Sequence, residues 1–459
     1  MTAIRRITLD NYKSFGHVDF DLTDGKDPLP YAFVYGENGS GKTNLLETIS
    51  YLKDSVLTLS RGNEVVDRGR EYVEAFGTLI GSMGHDFDRE EFGQSFMDIL
   101  LPKDITHLAS RHRMIGSAED MRICIVFDID GRDATYEMVF NGDNNLVSES
   151  LKCVANERTS TLYQLTADSG AIAAKFSRTF FVSSTYEKTV RELISKHWGK
   201  HSFLSIMNYE TVRNNSEFME KSVSGSFFRF MAALEDIKVE NGPYSEMIFR
   251  ERSVRYNPES GIIEKSRMGE LKRYESALNK AFTRIYSDVR RVYFELSDRG
   301  EDRVEYSLIF VRHIHGQDRE ISAEFESSGT EKLLEILPFL LDCANGKAVL
   351  IDEMDSGIHD KLVFDLIREV LGEIKGQLIV TTHNTSLLRI LDPANTFIIN
   401  VDLNGEREIR CVKKILRTQK NNNNQDRYLK GMMDGVPYMG SLDLDEIASS
   451  LENDVKGTE

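Results

Sequence analysis

Apolar residues along this chain recur with two periods, and the switches between them outline a succession of strands and helices. Ile4 to Leu9 and Val18 to Leu22 read as two short strands flanking Asn11-Tyr12-Lys13-Ser14-Phe15. The apolar run Tyr31 to Tyr35 predicts a buried strand, and Leu45, Leu46, Ile49, Leu52 and Val56 then follow at the three- and four-residue intervals of an amphipathic helix. Arg122 to Ile129 and Thr135 to Phe140 predict an antiparallel hairpin around Asp130-Gly131-Arg132-Asp133. From Tyr186 to Ile285 the texture turns helical, with Leu271, Tyr274, Leu278, Ala281, Phe282 and Ile285 on one face. Strand character returns at Val304 to Val311 and Glu320 to Phe325, and a helix carrying Leu333, Leu334, Leu337, Leu340 and Leu341 comes next. Buried apolar strands are then predicted at Ala348 to Ile351 and Leu378 to Thr382, with a helix over Asp360 to Glu373 between them. Such alternation signals a parallel sheet that binds its ligands at the strands' C-terminal ends.

The expected organisation has four parts: an N-terminal nucleotide-binding part over 1–185, a helical insertion over 186–300, a C-terminal part over 301–415 and a tail over 416–459. A length of 459 residues can bury a substantial core, and 40% hydrophobic with 29% charged residues suits a soluble globular protein. The net charge of −17 argues against a protein that coats nucleic acid non-specifically. Two basic clusters, Arg250, Arg252 and Arg255, and Lys413, Lys414, Arg417 and Lys420, lack interleaved aromatics and read as solvated faces. Trp198 reads as a packed residue. With neither a signal-peptide core nor a run of ~20 apolar residues, the expected compartment is the cytoplasm.

Against this background, Gly36-Glu37-Asn38-Gly39-Ser40-Gly41-Lys42-Thr43 matches a phosphate-binding loop in the context its mechanism needs, between a buried strand and a helix. The backbone of Asn38, Gly39, Ser40 and Gly41 would surround phosphates, Lys42 would reach the β- and γ-phosphates of ATP, and the Thr43 hydroxyl would ligate Mg²⁺. Asp352 and Glu353 end the apolar strand Ala348 to Ile351. Asp352 fits a Mg²⁺ organiser, and Glu353 fits the base that polarises an attacking water. Ser327-Ser328-Gly329-Thr330 precedes a helix and would offer hydroxyls, N–H groups and a helix dipole to an anion. One ATP cannot easily use two such helix starts from distant parts of a single subunit, so composite sites in a homodimer are expected. His383, at the end of the next strand, would contact the γ-phosphate.

The ordered set of Leu9 to Phe15, Gly36 to Thr43, Ser327 to Thr330, Val349 to Glu353 with Asp355, and His383 resembles the ABC-type ATPases of the SMC, RecF and OLD group. The resemblance implies an α/β ATPase head with a mixed and parallel sheet plus an inserted helical domain. By it, Ser327, Ser328 and Gly329 form a signature motif acting in trans, Asp355 opens a subunit-contacting loop, His383 is the switch histidine, and Lys13 approaches the phosphates. The signature reads Ser-Ser-Gly-Thr where transporters of this type have Leu-Ser-Gly-Gly, and no glutamine stands out as the Q-loop residue. Within the group, the length, the compact insertion and the ending Arg427-Tyr428-Leu429-Lys430-Gly431 with Gly435-Val436-Pro437-Tyr438 resemble bacterial anti-phage and abortive-infection ATPases of the PARIS and AbiLi-like kinds. That likeness implies an ATP-operated switch, homodimeric or higher, controlling a separately encoded effector such as a TOPRIM-type nuclease, with a phage-encoded trigger. The stretch beyond His383 is too short to hold a TOPRIM domain of its own, so the toxic activity is expected in a partner. The alternative is a RecF-like DNA-repair ATPase that clamps DNA, against which the acidic balance counts.

Overall fold

In this computed structural model, residues 1–60, 104–155, 158–168, 170–240, 258–300, 302–415, 423–436, 441–445 and 447 are described. Arg250, Arg252, Arg255, Arg417, Lys420 and most of the 416–459 tail lie outside them. The core is a six-stranded sheet in the order Lys238–Glu240, Ala348–Ile351, Gln377–Thr381, Tyr31–Gly36, Thr396–Val401 and Arg407–Cys411. Its first five strands run parallel, and Arg407–Cys411 closes the edge antiparallel. Every residue of Ala348–Ile351 and Gln377–Thr381 is buried, as strands covered on both faces require.

Because successive side chains in a strand point to opposite faces, this sheet divides its residues between two cores. Ala32, Val34, Leu350, Ile379 and Ile399 join the phosphate-loop helix, residues 42–60, in one hydrophobic cluster through Leu45, Leu46, Ile49 and Leu52. Phe33, Tyr35, Val349, Ile351, Leu378 and Val380 join a second cluster with Leu333, Leu334 and Ile336 of helix Ser328–Ala344 and with Val363 and Ile367 of helix Asp360–Glu373. The phosphate-loop helix and the helix that follows Ser327 therefore cover opposite faces of one sheet.

The first cluster is completed by a seven-stranded antiparallel sheet in the order Ala171–Phe176, Arg158–Asp168, Leu146–Ala155, Arg132–Phe140, Met121–Ile129, Thr2–Tyr12 and Phe15–Asp21. The hairpin read around Asp130 to Asp133 is tighter than that reading. Asp130 and Gly131 alone make the turn, at φ +54° and +74°, so Arg132 and Asp133 already belong to the second strand. A further antiparallel sheet pairs Arg303–Ile314 with Ser260–Glu264, Val289–Asp298 and Gln317–Ser322. Helix Met268–Ile285 lies against it with Leu271, Tyr274, Leu278 and Phe282 buried, the face read from the sequence. Residues 186–300, expected to be a helical insertion, are helical over Ser184–His197, Phe203–Arg213, Ser216–Ser222, Gly225–Asp236 and Met268–Ile285, with Lys238–Glu240, Ser260–Glu264 and Val289–Asp298 as strands among them. Lys238–Glu240 is too short to show a period, and only its pairing with Ala348–Ile351 makes it a strand.

The helices Ser184–His197 and Phe203–Arg213 are tied to the antiparallel sheet by one buried carboxylate. Glu149, fully buried, accepts hydrogen bonds from Tyr136 (2.9 Å), Tyr163 (3.0 Å), the Trp198 indole (2.9 Å) and the backbone N–H of Phe203 (2.6 Å) and Leu204 (3.3 Å). Burial pushes its carboxyl above the ordinary range even though these donors pull the other way. Trp198 is thus packed and polar-anchored. Removing the carboxylate strands several buried donors, each worth roughly 1–3 kcal/mol. Glu149→Ala should lower unfolding free energy by about 3 kcal/mol or more, and Glu149→Gln by less. Denaturant titration followed by the fluorescence of Trp198, the chain's single tryptophan, measures both; equal midpoints for Glu149→Ala and the parent would show that the network contributes nothing.

Candidate functional site

The parallel strands place Gly36, Asp352 and the residues after Thr381 at the same sheet edge, and the local chemistry follows from how each chain leaves its strand. After Tyr31–Gly36 the backbone turns so closely that two positions exclude a side chain. A Cβ on Gly36 would lie 2.6 Å from Ser40 Oγ and 2.9 Å from Ile399 O; one on Gly41, at φ +105°, would lie 2.6 Å from Ser14 Oγ and 2.8 Å from Phe15 Cζ. The loop is thereby wedged between the Asn11–Phe15 turn and the neighbouring strand. The Lys42 ammonium donates to Gly36 O at 2.9 Å and Glu37 O at 3.0 Å, both main-chain carbonyls of the loop itself. Burial holds it below the ordinary lysine range, against the pull of Glu353, Asp352 and Asp355. Asn38, Gly39 and Thr43 are exposed, while Ser40 is buried with its Oγ lacking a hydrogen-bond partner among the described residues.

Two strands away, beyond Gln377–Thr381, the chain leaves Ile351 through a strained turn. Glu353 sits at φ +43°, a left-handed conformation that a residue with a Cβ adopts at a cost of order 1 kcal/mol. Thr381, fully buried at the end of the adjacent strand, holds it there. Its Oγ1 donates to Asp352 and accepts from Glu353 N at 2.8 Å, and Thr381 O accepts from Met354 N at 3.2 Å. Asp355 then accepts from His383 N at 3.1 Å. Burial and Lys42 both hold the His383 imidazole below the ordinary histidine range, against Asp355, Glu353 and Asp352. Lys42, Asp352, Glu353, Asp355 and His383 therefore share one electrostatic neighbourhood, as their spacing along the sequence suggested.

Ser327 to Thr330 stands apart from that group. Ser327 caps helix Ser328–Ala344, its Oγ accepting from Thr330 N at 3.3 Å, and Thr330 Oγ1 bonds Tyr286 OH at 3.3 Å. Gly329 backs onto the loop after Glu353: a Cβ there would meet Gly357 O at 2.8 Å. Ser328 remains exposed. Lys13 lies beside the phosphate-loop helix, where its ammonium pairs with Glu47, one turn beyond Thr43.

Sequence reasoning did not find four supports of the site. Thr381 is one. Arg407 is another, donating to Gly39 O at 3.2 Å and Ser14 O at 3.1 Å, and Asn44 adds a bond to Ser14 Oγ at 2.8 Å. The fourth is the C-terminal segment: Tyr428 packs on Tyr35 with ring centroids 5.7 Å apart and donates to Gly435 O at 2.8 Å, and a Cβ on Gly435 would lie 3.7 Å from the Gly36 Cα. Thr381 carried a sequence signal, a hydroxyl at the end of a buried strand, and Tyr428 and Gly435 lie in the ending that carried the family resemblance, though nothing in it pointed to the phosphate loop.

The family model described as "AAA domain, putative AbiEii toxin, Type IV TA system" matches residues 111–389, more than half of the chain. That span contains Ser327–Thr330, Asp352, Glu353 and His383, while the phosphate loop precedes it. No curated protein matches. Among solved structures, an SMC head bound to the C-terminal winged-helix domain of ScpA is similar at 16% identity, covering 89% of this chain and 96% of that one, with a TM-score of 0.40. The SMC head domain from Thermotoga maritima is similar at 14% identity, 89% and 98% coverage and a TM-score of 0.35. RecF with ATP, a recombination mediator of the RecFOR pathway, is similar at 12% identity, 87% and 96% coverage and a TM-score of 0.35.

Thr381 gives the site's geometry a direct test. Thr381→Val keeps the volume but removes the donor to Asp352 and the acceptor for Glu353 N. ATP turnover should fall about ten- to hundred-fold, the usual effect of losing a group that orients a site carboxylate. Unchanged turnover in a steady-state assay would show that Asp352 and Glu353 hold their places without it.

Proposed function

We propose, on the premise that this chain belongs to the AAA-domain family described as putative AbiEii toxins of type IV TA systems, that it is an ATP-operated switch in defence against phage. Two copies close around ATP, and closure controls a separately encoded effector. The observation that supports this reading is the division of the sheet: the helices begun by Lys42 and Ser328 cover opposite faces, while Lys42, Asp352, Glu353 and His383 gather at one edge. The exposed Ser328 and the half-buried Gly329 of a second copy, with the helix dipole behind them, complete the site around a phosphate chain held at that edge.

The residues present fit a triphosphate. Lys42 is held only by carbonyls of its own loop and, among the described residues, makes no ion pair, so its charge is available to an anion. Ser40 Oγ is a buried hydroxyl that has no hydrogen-bond partner among the described residues. Thr43 and Asp352 would hold Mg²⁺, which when bound neutralises charge on the β- and γ-phosphates. Glu353, pinned at its strained turn, positions and polarises the attacking water, and the neutral His383 imidazole donates to or accepts from the γ-phosphate oxygens. Lys13 reaches the phosphates only by leaving Glu47. A TOPRIM-type nuclease is the effector and a phage-encoded protein the trigger by family likeness.

No helix among the described residues is long and apolar enough to cross a membrane, and we place the switch in the cytoplasm. The test compares two variants. Glu353→Gln should bind ATP, hydrolyse it at least a hundred-fold more slowly, and sediment as a dimer when ATP is present; co-expressed with its neighbouring genes it should retain the effector on affinity purification. Lys42→Ala should bind no ATP and stay monomeric. A Glu353→Gln protein that binds ATP yet remains a bare monomer would overturn the reading.

A further inference from the structure

Ser327 and Ser328 are exposed, yet the residues on either side of them are tied down, and one guanidinium serves both ties. Glu326, immediately before the motif, has a side chain only 3% exposed. Both of its oxygens are taken by Arg312: Oε1 accepts from Nε at 2.7 Å and Oε2 from Nη2 at 2.5 Å. Such a fork fixes the plane of a carboxylate as well as its position. On the other side Thr330 is fully buried, and its Oγ1 bonds Ser327 Oγ at 3.0 Å and Tyr286 OH at 3.3 Å.

Tyr286 is held in turn by the same guanidinium. Arg312 lies over its ring, 5.0 Å from the centroid, and Nη1 donates to Asp288 at 2.8 Å. One side chain therefore grips the turn that leads into the motif and, through Tyr286, the residue that closes it. Arg312 belongs to strand Arg303–Ile314 of the antiparallel sheet, not to the parallel sheet that carries the phosphate loop. The charges that act on Lys42 and His383 are of a different set, Asp352, Glu353 and Asp355. The clasp thus serves the half of the chain that begins at Ser327.

We propose that Arg312 is a positioning residue for ATP turnover in the neighbouring copy: through Glu326 and Tyr286 it sets the pose in which Ser327 and Ser328 meet a phosphate chain held by Lys42 of the partner subunit. This rests on the composite-site reading above and adds to it a residue that acts only through others. Loosening the fork displaces Ser328 and leaves the loop from Gly36 to Thr43 as it is, so the lesion falls on one half of a composite site. Lys42→Ala damages the other half. A pair made of one chain of each kind contains one site with both defects and one site with neither.

Two conservative variants test this: Arg312→Lys retains the charge but loses the fork, and Glu326→Gln retains the shape but loses the charge. Each should bind a fluorescent ATP analogue as the parent does and turn ATP over about ten- to hundred-fold more slowly, the scale of a reacting group displaced by ~1 Å. Mixed in equal amounts with the Lys42→Ala chain, each should recover about a quarter of parental turnover, since half of the two-fold pairs are then mixed and each holds one sound site. Ser328→Arg, which blocks the motif directly, is mixed in the same way as the reference. If Ser328→Arg complements Lys42→Ala and the clasp variants do not, or if either clasp variant works at the parental rate, Arg312 has no such role and the composite site stands. Loss of analogue binding in both clasp variants would also overturn the role, because the clasp would then support the chain's own phosphate loop. If no mixture recovers turnover, the inference falls together with the reading beneath it.

Discussion

A parallel sheet buried on both faces constrains everything else in this molecule. Its strands have no solvent side, so alternate residues must feed two separate cores, and the chain must supply a covering layer for each. One layer is the phosphate-loop helix with the antiparallel sheet behind it; the other holds the helix after Ser327 and the helix Asp360–Glu373. With both faces closed, the only place where polar groups from several strands can converge is the edge formed by the strand ends. The site sits there because the packing leaves no alternative.

At that edge the geometry is set by hydrogen bonds from buried groups more than by the charged residues themselves. Asp352 and Glu353 are partly or fully exposed, and two adjacent carboxylates near a buried ammonium could relax in several ways. Thr381 removes that freedom, since one hydroxyl restrains the side chain of Asp352 and the backbone of Glu353 at once. The left-handed turn at Glu353 is tolerable for the same reason: the strain is offset by bonds that exist only in this conformation. Gly357 extends the linkage, because the close approach of Gly329 to its carbonyl couples the carboxylate turn to the helix that follows Ser327.

These dependencies explain what the sequence disclosed and what it concealed. Strands with a complete apolar run, such as Ala348–Ile351, and helices with a regular stripe, such as Met268–Ile285, were legible because burial imposes a period. The phosphate loop was legible because it combines glycines that no other residue can replace with a lysine and a threonine at fixed spacing. Lys238–Glu240 was not, since three residues carry no period and their strand state depends on a partner more than a hundred residues away. Glu149 was equally hidden: an acid within an alternating strand looks solvent-facing until Tyr136, Tyr163 and Trp198 close over it. Arg407 and Tyr428 support the phosphate loop from late in the chain, through contacts that local pattern cannot encode.

The acidic balance of the chain gains a physical meaning from this arrangement. A net charge of −17 opposes an anion at long range, yet the nearest partners of the Lys42 ammonium are uncharged carbonyls, and Arg407 adds a second cation against the same loop through Gly39 O. Lys42 also feels Asp352, Glu353 and Asp355, so the field at the loop is set by these few groups, close by and partly buried, more than by the net charge of the whole chain.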